Sequence, residues 1–184
     1  SANRSGHVSA TTAEHVAKDF GPAIDLIVDS GPSEWGLEST VLEVSDGGLT
    51  LLRPGAVPVD AIVRLIGRMP IRAEHVSSRP NAPGRLESHY APRARVRLDV
   101  DDARAGEALL SFGPDAPPSS SRCINLSPAG DLREAAANLF AALRTLDATG
   151  AAAIAVMPIP NDGLGEAIND RLRRAAAPRT APAQ

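Results

Sequence analysis

Cysteine is almost missing from this 184-residue chain. Cys123 stands alone, which excludes an internal disulfide framework and a cysteine-based zinc site. A lone thiol suits a reducing compartment. Aromatic residues make up only 3% of the chain, too few for stacked recognition of single-stranded nucleic acid. Neither sign of charge dominates. A formal net charge of -3 gives no general attraction for nucleic acid. No apolar run approaches the roughly 20 residues of a membrane span. The chain opens at Ser1 with no methionine and no signal-peptide pattern. Lys18 is the only lysine. Arginine and alanine are abundant, a bias we ascribe to genome composition, so a lone arginine carries weight only where its context is special. His7, His15, His75 and His89 lack the short spacing of a zinc site. No nucleophile elbow, Walker loop or paired-carboxylate motif is visible.

What remains is ordinary globular material, 43% hydrophobic and 22% charged, long enough for one domain or two small ones. The first half mixes elements. Thr11 with Glu14 three residues on has capping-box spacing and predicts a helix over about 12–20, stopped by Gly21-Pro22. Ile24 to Asp29 reads as a short buried strand. Ser39 to Val44 and Leu49 to Leu52 read as strands joined by the Asp46-Gly47-Gly48 turn. Val59 to Gly67 has helical spacing and a glycine stop. From about 70 to 94, Pro70, Pro80, Pro83 and Pro92 break every pattern, so this stretch reads as a linker. Beyond it, strands at Val96–Val100, Ala108–Phe112, Cys123–Leu126 and Ala152–Met157 alternate with helices at Asp131–Leu146 and Leu164–Ala176. That order predicts a small α/β layer with at least part of its sheet parallel.

Several places could carry chemistry. In Ser1-Ala2-Asn3-Arg4-Ser5-Gly6-His7-Val8-Ser9, short hydroxyl and amide side chains precede a helix and a glycine lets a ligand approach the backbone. Such a loop can bind phosphate or merely cap the helix. Glu38-Ser39-Thr40 can face a ligand or satisfy a sheet edge. Arg53 at a strand end can fork a phosphate or lie exposed. His89-Tyr90 can cover a ligand as a flap or plug a neighbouring domain. Gly163-Leu164-Gly165 is at most half of a dinucleotide fingerprint and reads as a helix start.

Together these blocks resemble the threonylcarbamoyl-AMP synthase family. The ordered pieces are Ser1-Ala2-Asn3-Arg4-Ser5-Gly6, Ser9 and Thr11, Glu38-Ser39-Thr40, Leu51-Leu52-Arg53-Pro54-Gly55, Pro83-Gly84 and Ser88-His89-Tyr90-Ala91-Pro92. The late stretch Gly163–Leu172 adds to them. The similarity is to the long, two-domain form. It implies an α/β fold: an incomplete YrdC-like domain over 1–69, a Pro-rich linker or flap over 70–94, and a small Rossmann-like domain over 95–184. The family's N-terminal half, with its Lys-x-Arg motif, is absent here. The resemblance therefore implies a C-terminal portion that does not turn over alone.

The implied activity is that of a nucleotidyltransferase. L-Threonine, bicarbonate and ATP, with Mg²⁺, give threonylcarbamoyl-AMP and pyrophosphate for a tRNA modification. The attacking oxygen belongs to threonine carbamate, so the protein needs donors and charge rather than a nucleophile. By resemblance Ser1, Asn3, Ser9, Arg53, Tyr90 and His89 would bind ATP and Ser39 would contact threonine. No side chain takes a covalent catalytic role. The implied setting is cytoplasmic, away from membranes and without direct nucleic-acid binding. A tRNA-modifying threonylcarbamoyl transferase complex would act downstream. The rival reading is a non-catalytic nucleotide- or partner-binding module of that family. A carbamoyltransferase-type relative would carry further metal and acylphosphatase modules, of which there is no sign. Residues 1 to about 70 would leave an open sheet edge and fold poorly alone, whereas about 95–176 would fold independently.

Overall fold

The computed structural model describes residues 2–46, 48–73, 89–117 and 122–178. The first helix, α1, is Ala13–Phe20. Its cap is Thr12, not Thr11: the Thr12 hydroxyl accepts from the His15 amide at 3.2 Å. The start is therefore one residue later than the capping-box spacing suggests, and Glu14 falls in the first turn without closing a box. Thr11 instead donates its amide to His15 Nδ1 at 3.2 Å. The segment expected as a strand from Ile24 to Asp29 is irregular. Leu26 and Val28 are exposed there, and no strand pairs with them among the described residues.

Strands β1 (Val41–Ser45) and β2 (Gly48–Arg53) form the antiparallel hairpin that the sequence predicts, with Leu42 opposite Leu51. Helix α2 (Val59–Ile66) starts after Pro58, whose fixed backbone suits a helix entry, and ends at Gly67 in the left-handed conformation. It carries the chain to β3 (Ile71–Arg72), parallel to β2. This short strand lies where a structureless linker was expected. Residues 74–88, with Pro83, Gly84 and Ser88, lie outside the described residues.

The second sheet contains β4 (Arg95–Arg97), β5 (Ala108–Ser111), β6 (Cys123–Asn125) and β7 (Ala153–Val156). Their spatial order is β4-β7-β5-β6, parallel throughout. Helix α3 (Leu132–Ala148) begins at Asp131, whose carboxylate accepts from the Arg133 and Glu134 amides. Helix α4 is Leu164–Ala176. The period-2 rule sorts the sheet: Ala108, Leu110, Ile154 and Val156 meet the two helices, while Leu109 and Ala155 face the other way with Val100. On the helix side the core contains Leu139, Phe140, Leu143, Leu146, Ile168 and Leu172. At about 2 kcal/mol for each fully buried large side chain, this is the main apolar reservoir of the molecule.

That core is not confined to the second layer. Val8, Leu37 and Tyr90 belong to the same cluster. Leu37 enters because Gly36, at φ +61°, lets the chain press on α3; a Cβ there would stand 2.3 Å from the Ala136 carbonyl oxygen. Just before it, the Arg133 guanidinium sits 4.7 Å over the Trp35 ring. Among the described residues no helix is long and apolar enough to cross a membrane.

Candidate functional site

The seam between the two layers is where the residues singled out from the sequence converge. The Ser9 hydroxyl donates to Glu38 Oε1 at 2.6 Å. Beside Glu38, the Ser39 carbonyl takes two bonds from Arg53, Nε at 3.2 Å and Nη2 at 3.0 Å, and the Ser39 hydroxyl lies 3.4 Å from Nη2. Ser9 and Arg53 are buried at the seam and Ser39 is exposed. Arg53 reaches Ser39 because the hairpin register sets it opposite Val41, two residues on from Ser39. After it the chain turns at Pro54-Gly55, and the Ala56 amide donates to the Glu38 carbonyl at 3.0 Å.

The other wall comes from α4. Arg171 is wholly buried. Its Nε donates to Glu38 Oε2 at 2.8 Å, and its Nη1 to the Pro54 carbonyl at 2.9 Å and to Asp170 Oδ2 at 2.8 Å. Asp170 also takes Arg174 Nε at 3.1 Å. Burial pushes the Glu38 carboxyl up, but the Arg171 charge and the bonds from Ser9 and Arg171 outweigh it, so Glu38 lies below the usual glutamate range. Glu38 is therefore an anion near neutral pH, and it engages the Ser9 proton.

His89 and Tyr90 close the seam. The His89 amide donates to the Arg174 carbonyl at 3.2 Å, and the Ala91 amide to the Gly6 carbonyl at 3.0 Å, so residues 89–91 tie α4 to the N-terminal loop. The Tyr90 ring lies 5.4 Å from Phe140, with the Arg171 guanidinium 5.3 Å from its centre. It is only 1% exposed. Here the ring packs as a plug, since apolar packing and the cation beneath it both favour burial. Its backbone stands at φ +59°, a left-handed conformation rare for a bulky residue. Burial lowers the His89 pKa, helped by Arg174, Arg171 and Arg53 nearby.

Ser9, Ser39, Arg53, His89 and Tyr90 thus share one seam. Asn3 bonds within its own loop: its Nδ2 donates to the Arg4 carbonyl at 3.0 Å and the His7 carbonyl at 3.4 Å, which shapes the loop. Ser1 lies outside the described residues. Sequence reasoning missed Glu38 as an anchor and passed over Asp170 and Arg171. The available signal was an Asp-Arg pair between Ile168 and Leu172, two residues of the apolar face of α4. Among the described residues no group of three or more His, Cys, Asp or Glu side chains could hold a metal ion.

The comparisons with known proteins agree over both layers. Residues 57–177 match the family model described as threonylcarbamoyl-AMP synthase, C-terminal domain, and residues 1–55 match one described as telomere recombination. The chain is 35% identical to the threonylcarbamoyl-AMP synthase of Pyrococcus abyssi, with 97% of this chain and 57% of that protein covered. It is also 35% identical to the Bacillus subtilis threonylcarbamoyl-AMP synthase, with 97% and 56% covered. The crystal structure of Pyrococcus abyssi Sua5 complexed with L-threonine is similar with a TM-score of 0.81 at 34% identity, covering 96% of this chain and 56% of that one. The chain spans little more than half the length of these relatives.

Proposed function

The chain belongs to the threonylcarbamoyl-AMP synthase family, and from that premise we propose that its seam binds ATP and L-threonine for threonylcarbamoyl-AMP formation. In that reaction the carbamate oxygen of carboxylated threonine attacks the α-phosphorus of ATP and pyrophosphate leaves. Bicarbonate supplies the carboxyl group. The residues of this chain supply position and charge. The observation that carries the reading is the convergence of Ser9, Ser39 and Arg53 on the two short segments that Arg171 joins.

In this proposal Arg53 faces the nucleotide phosphates and Ser39, exposed beside it, contacts threonine. Ser1 and Asn3 belong to the loop that borders the phosphates. Ser9 faces the nucleotide chiefly through its oxygen, since its proton is engaged by Glu38. His89 and Tyr90 seal the seam next to the nucleotide; Tyr90 acts as a plug over Arg171 and need not swing. The described carboxylates and histidines form no cage for Mg²⁺, so the ion would be held chiefly by the ATP phosphates. The product would pass to a tRNA-modifying threonylcarbamoyl transferase complex in the cytoplasm.

The only lysine, Lys18, is followed by Asp19-Phe20, so these 184 residues contain no Lys-x-Arg motif. We therefore expect binding without turnover from this polypeptide. Calorimetric titration with ATP and with L-threonine, beside a pyrophosphate assay with bicarbonate, tests both halves of the proposal. Failure to bind either ligand would remove the site. Robust pyrophosphate release would remove the expectation of inactivity. Binding of ATP that is indifferent to Arg53→Gln and Ser39→Ala would favour the rival reading of a non-catalytic module with another pocket.

A further inference from the structure

Among the described residues Arg171 is the largest fully buried side chain, and it belongs to α4, remote in sequence from every other wall of the seam. A buried ion pair is a weak source of stability, since a well-packed apolar side chain often does as well. What it does supply is a fixed place for its partners. Here the partners are telling. One guanidinium holds both the Glu38 carboxylate and the Pro54 carbonyl. Glu38 holds Ser9 and precedes Ser39; Pro54 follows Arg53. Asp170, itself tied to Arg174, braces the guanidinium from behind. Gly55 also confines residues 38–40, since a Cβ on it would stand 2.4 Å from their backbone atoms.

We infer that Arg171 is a positioning residue: from α4 it sets the spacing of the Glu38–Ser39 and Arg53–Pro54 segments, and so couples the C-terminal layer to ligand binding at the seam. The effect on ligands rests on the binding reading above; the effect on the two segments does not. The Ala56 amide, bonded to the Glu38 carbonyl, reports that spacing directly.

The test is amide hydrogen exchange at Ala56, taken relative to Leu139 in α3, together with calorimetry for ATP and L-threonine on the same chain. Arg171→Met should raise the Ala56 ratio by about tenfold and weaken ligand binding by at least as much. Leu172→Ala empties a buried position next door whose apolar side chain takes part in none of the hydrogen bonds of the seam, so it should lower the melting temperature yet leave ratio and affinity within about twofold. Glu38→Gln, a milder change, should raise the ratio in the same direction and decides the matter if Arg171→Met does not fold. An unchanged ratio in Arg171→Met or Glu38→Gln, or an equal rise in Leu172→Ala, overturns the inference. If the parent chain binds neither ligand, the functional reading fails and the exchange ratios alone judge Arg171.

Discussion

Gly55 abuts Ser39 so closely that an added Cβ would stand 2.4 Å from the Ser39 carbonyl carbon. The neighbouring Glu38 oxygen and Thr40 nitrogen would be equally near. All three are backbone atoms, so no rotamer change relieves the overlap. We expect Gly55→Ala to destabilise the chain by about 2–3 kcal/mol through overpacking. Urea unfolding measures this, and a midpoint within error of the parent would contradict the packing described.

Arg144 on α3 is a second tie across the layers. It donates to the Val8 carbonyl at 2.5 Å and the Ser9 carbonyl at 3.1 Å, and pairs with Asp19 at 2.5 Å. Arg144→Met leaves two carbonyls and a carboxylate without it. A loss of about 2 kcal/mol is expected, in line with bonds to a charged group. The matching double-mutant cycle with Asp19→Asn should show coupling; strict additivity would mean that the pair contributes nothing.

Tyr90 separates ring from hydroxyl. Tyr90→Phe keeps the packing on Phe140 and the contact with Arg171, and should cost less than about 1.5 kcal/mol as a volume-conserving change. Tyr90→Ala should cost about 3–5 kcal/mol. Thermal unfolding of the two variants would settle the order, and equal losses would sink the plug.

Acid should weaken the fold in two stages. His15 and His89 sit below their ordinary value of 6.5, chiefly because burial disfavours their charged form. Asp19 sits below 3.8 through the Arg144 hydrogen bond, and Glu38 sits below 4.5 because Arg171 and Ser9 outweigh its burial. In each case the unfolded chain binds more protons over the interval, so stability falls as pH falls. The histidine contribution is complete above 6.5 and disappears as pH drops toward the depressed folded values. The carboxylate contribution is complete above 4.5 and disappears as pH drops through the folded values below it. Urea midpoints across this range should show both stages. His89→Gln should shrink the upper one and Glu38→Gln the lower; a profile insensitive to both variants would refute the assignment.

Much of this architecture was legible because it rests on local rules. The hairpin β1–β2 announces itself through β-branched residues around Asp46-Gly47-Gly48. Helices α3 and α4 follow from apolar spacing, and the strand-helix alternation foretells a parallel sheet. Ile24–Asp29 misled because apolar, β-branched composition is necessary for a strand but a hydrogen-bonding partner makes one. Ile71–Arg72 was hidden by its length, since two residues show no period. At the seam, Ser9, Ser39 and Arg53 could be found from their blocks. Arg171 offered only its place beside Asp170 between Ile168 and Leu172: its importance lies in which distant carbonyl and carboxylate it meets, and abundant arginine elsewhere masked it. The fate of Tyr90 was likewise a tertiary matter, decided by a helix fifty residues further along.

Because Val8 and Leu37 are anchored among the side chains of α3 and α4, the peptide connection through 74–88 is not the only thing joining the layers. A backbone cut within that stretch should yield two polypeptides that co-purify as a heterodimer. Each, expressed without its counterpart, should present the greasy imprint of the missing one, which makes the protein a natural candidate for fragment complementation.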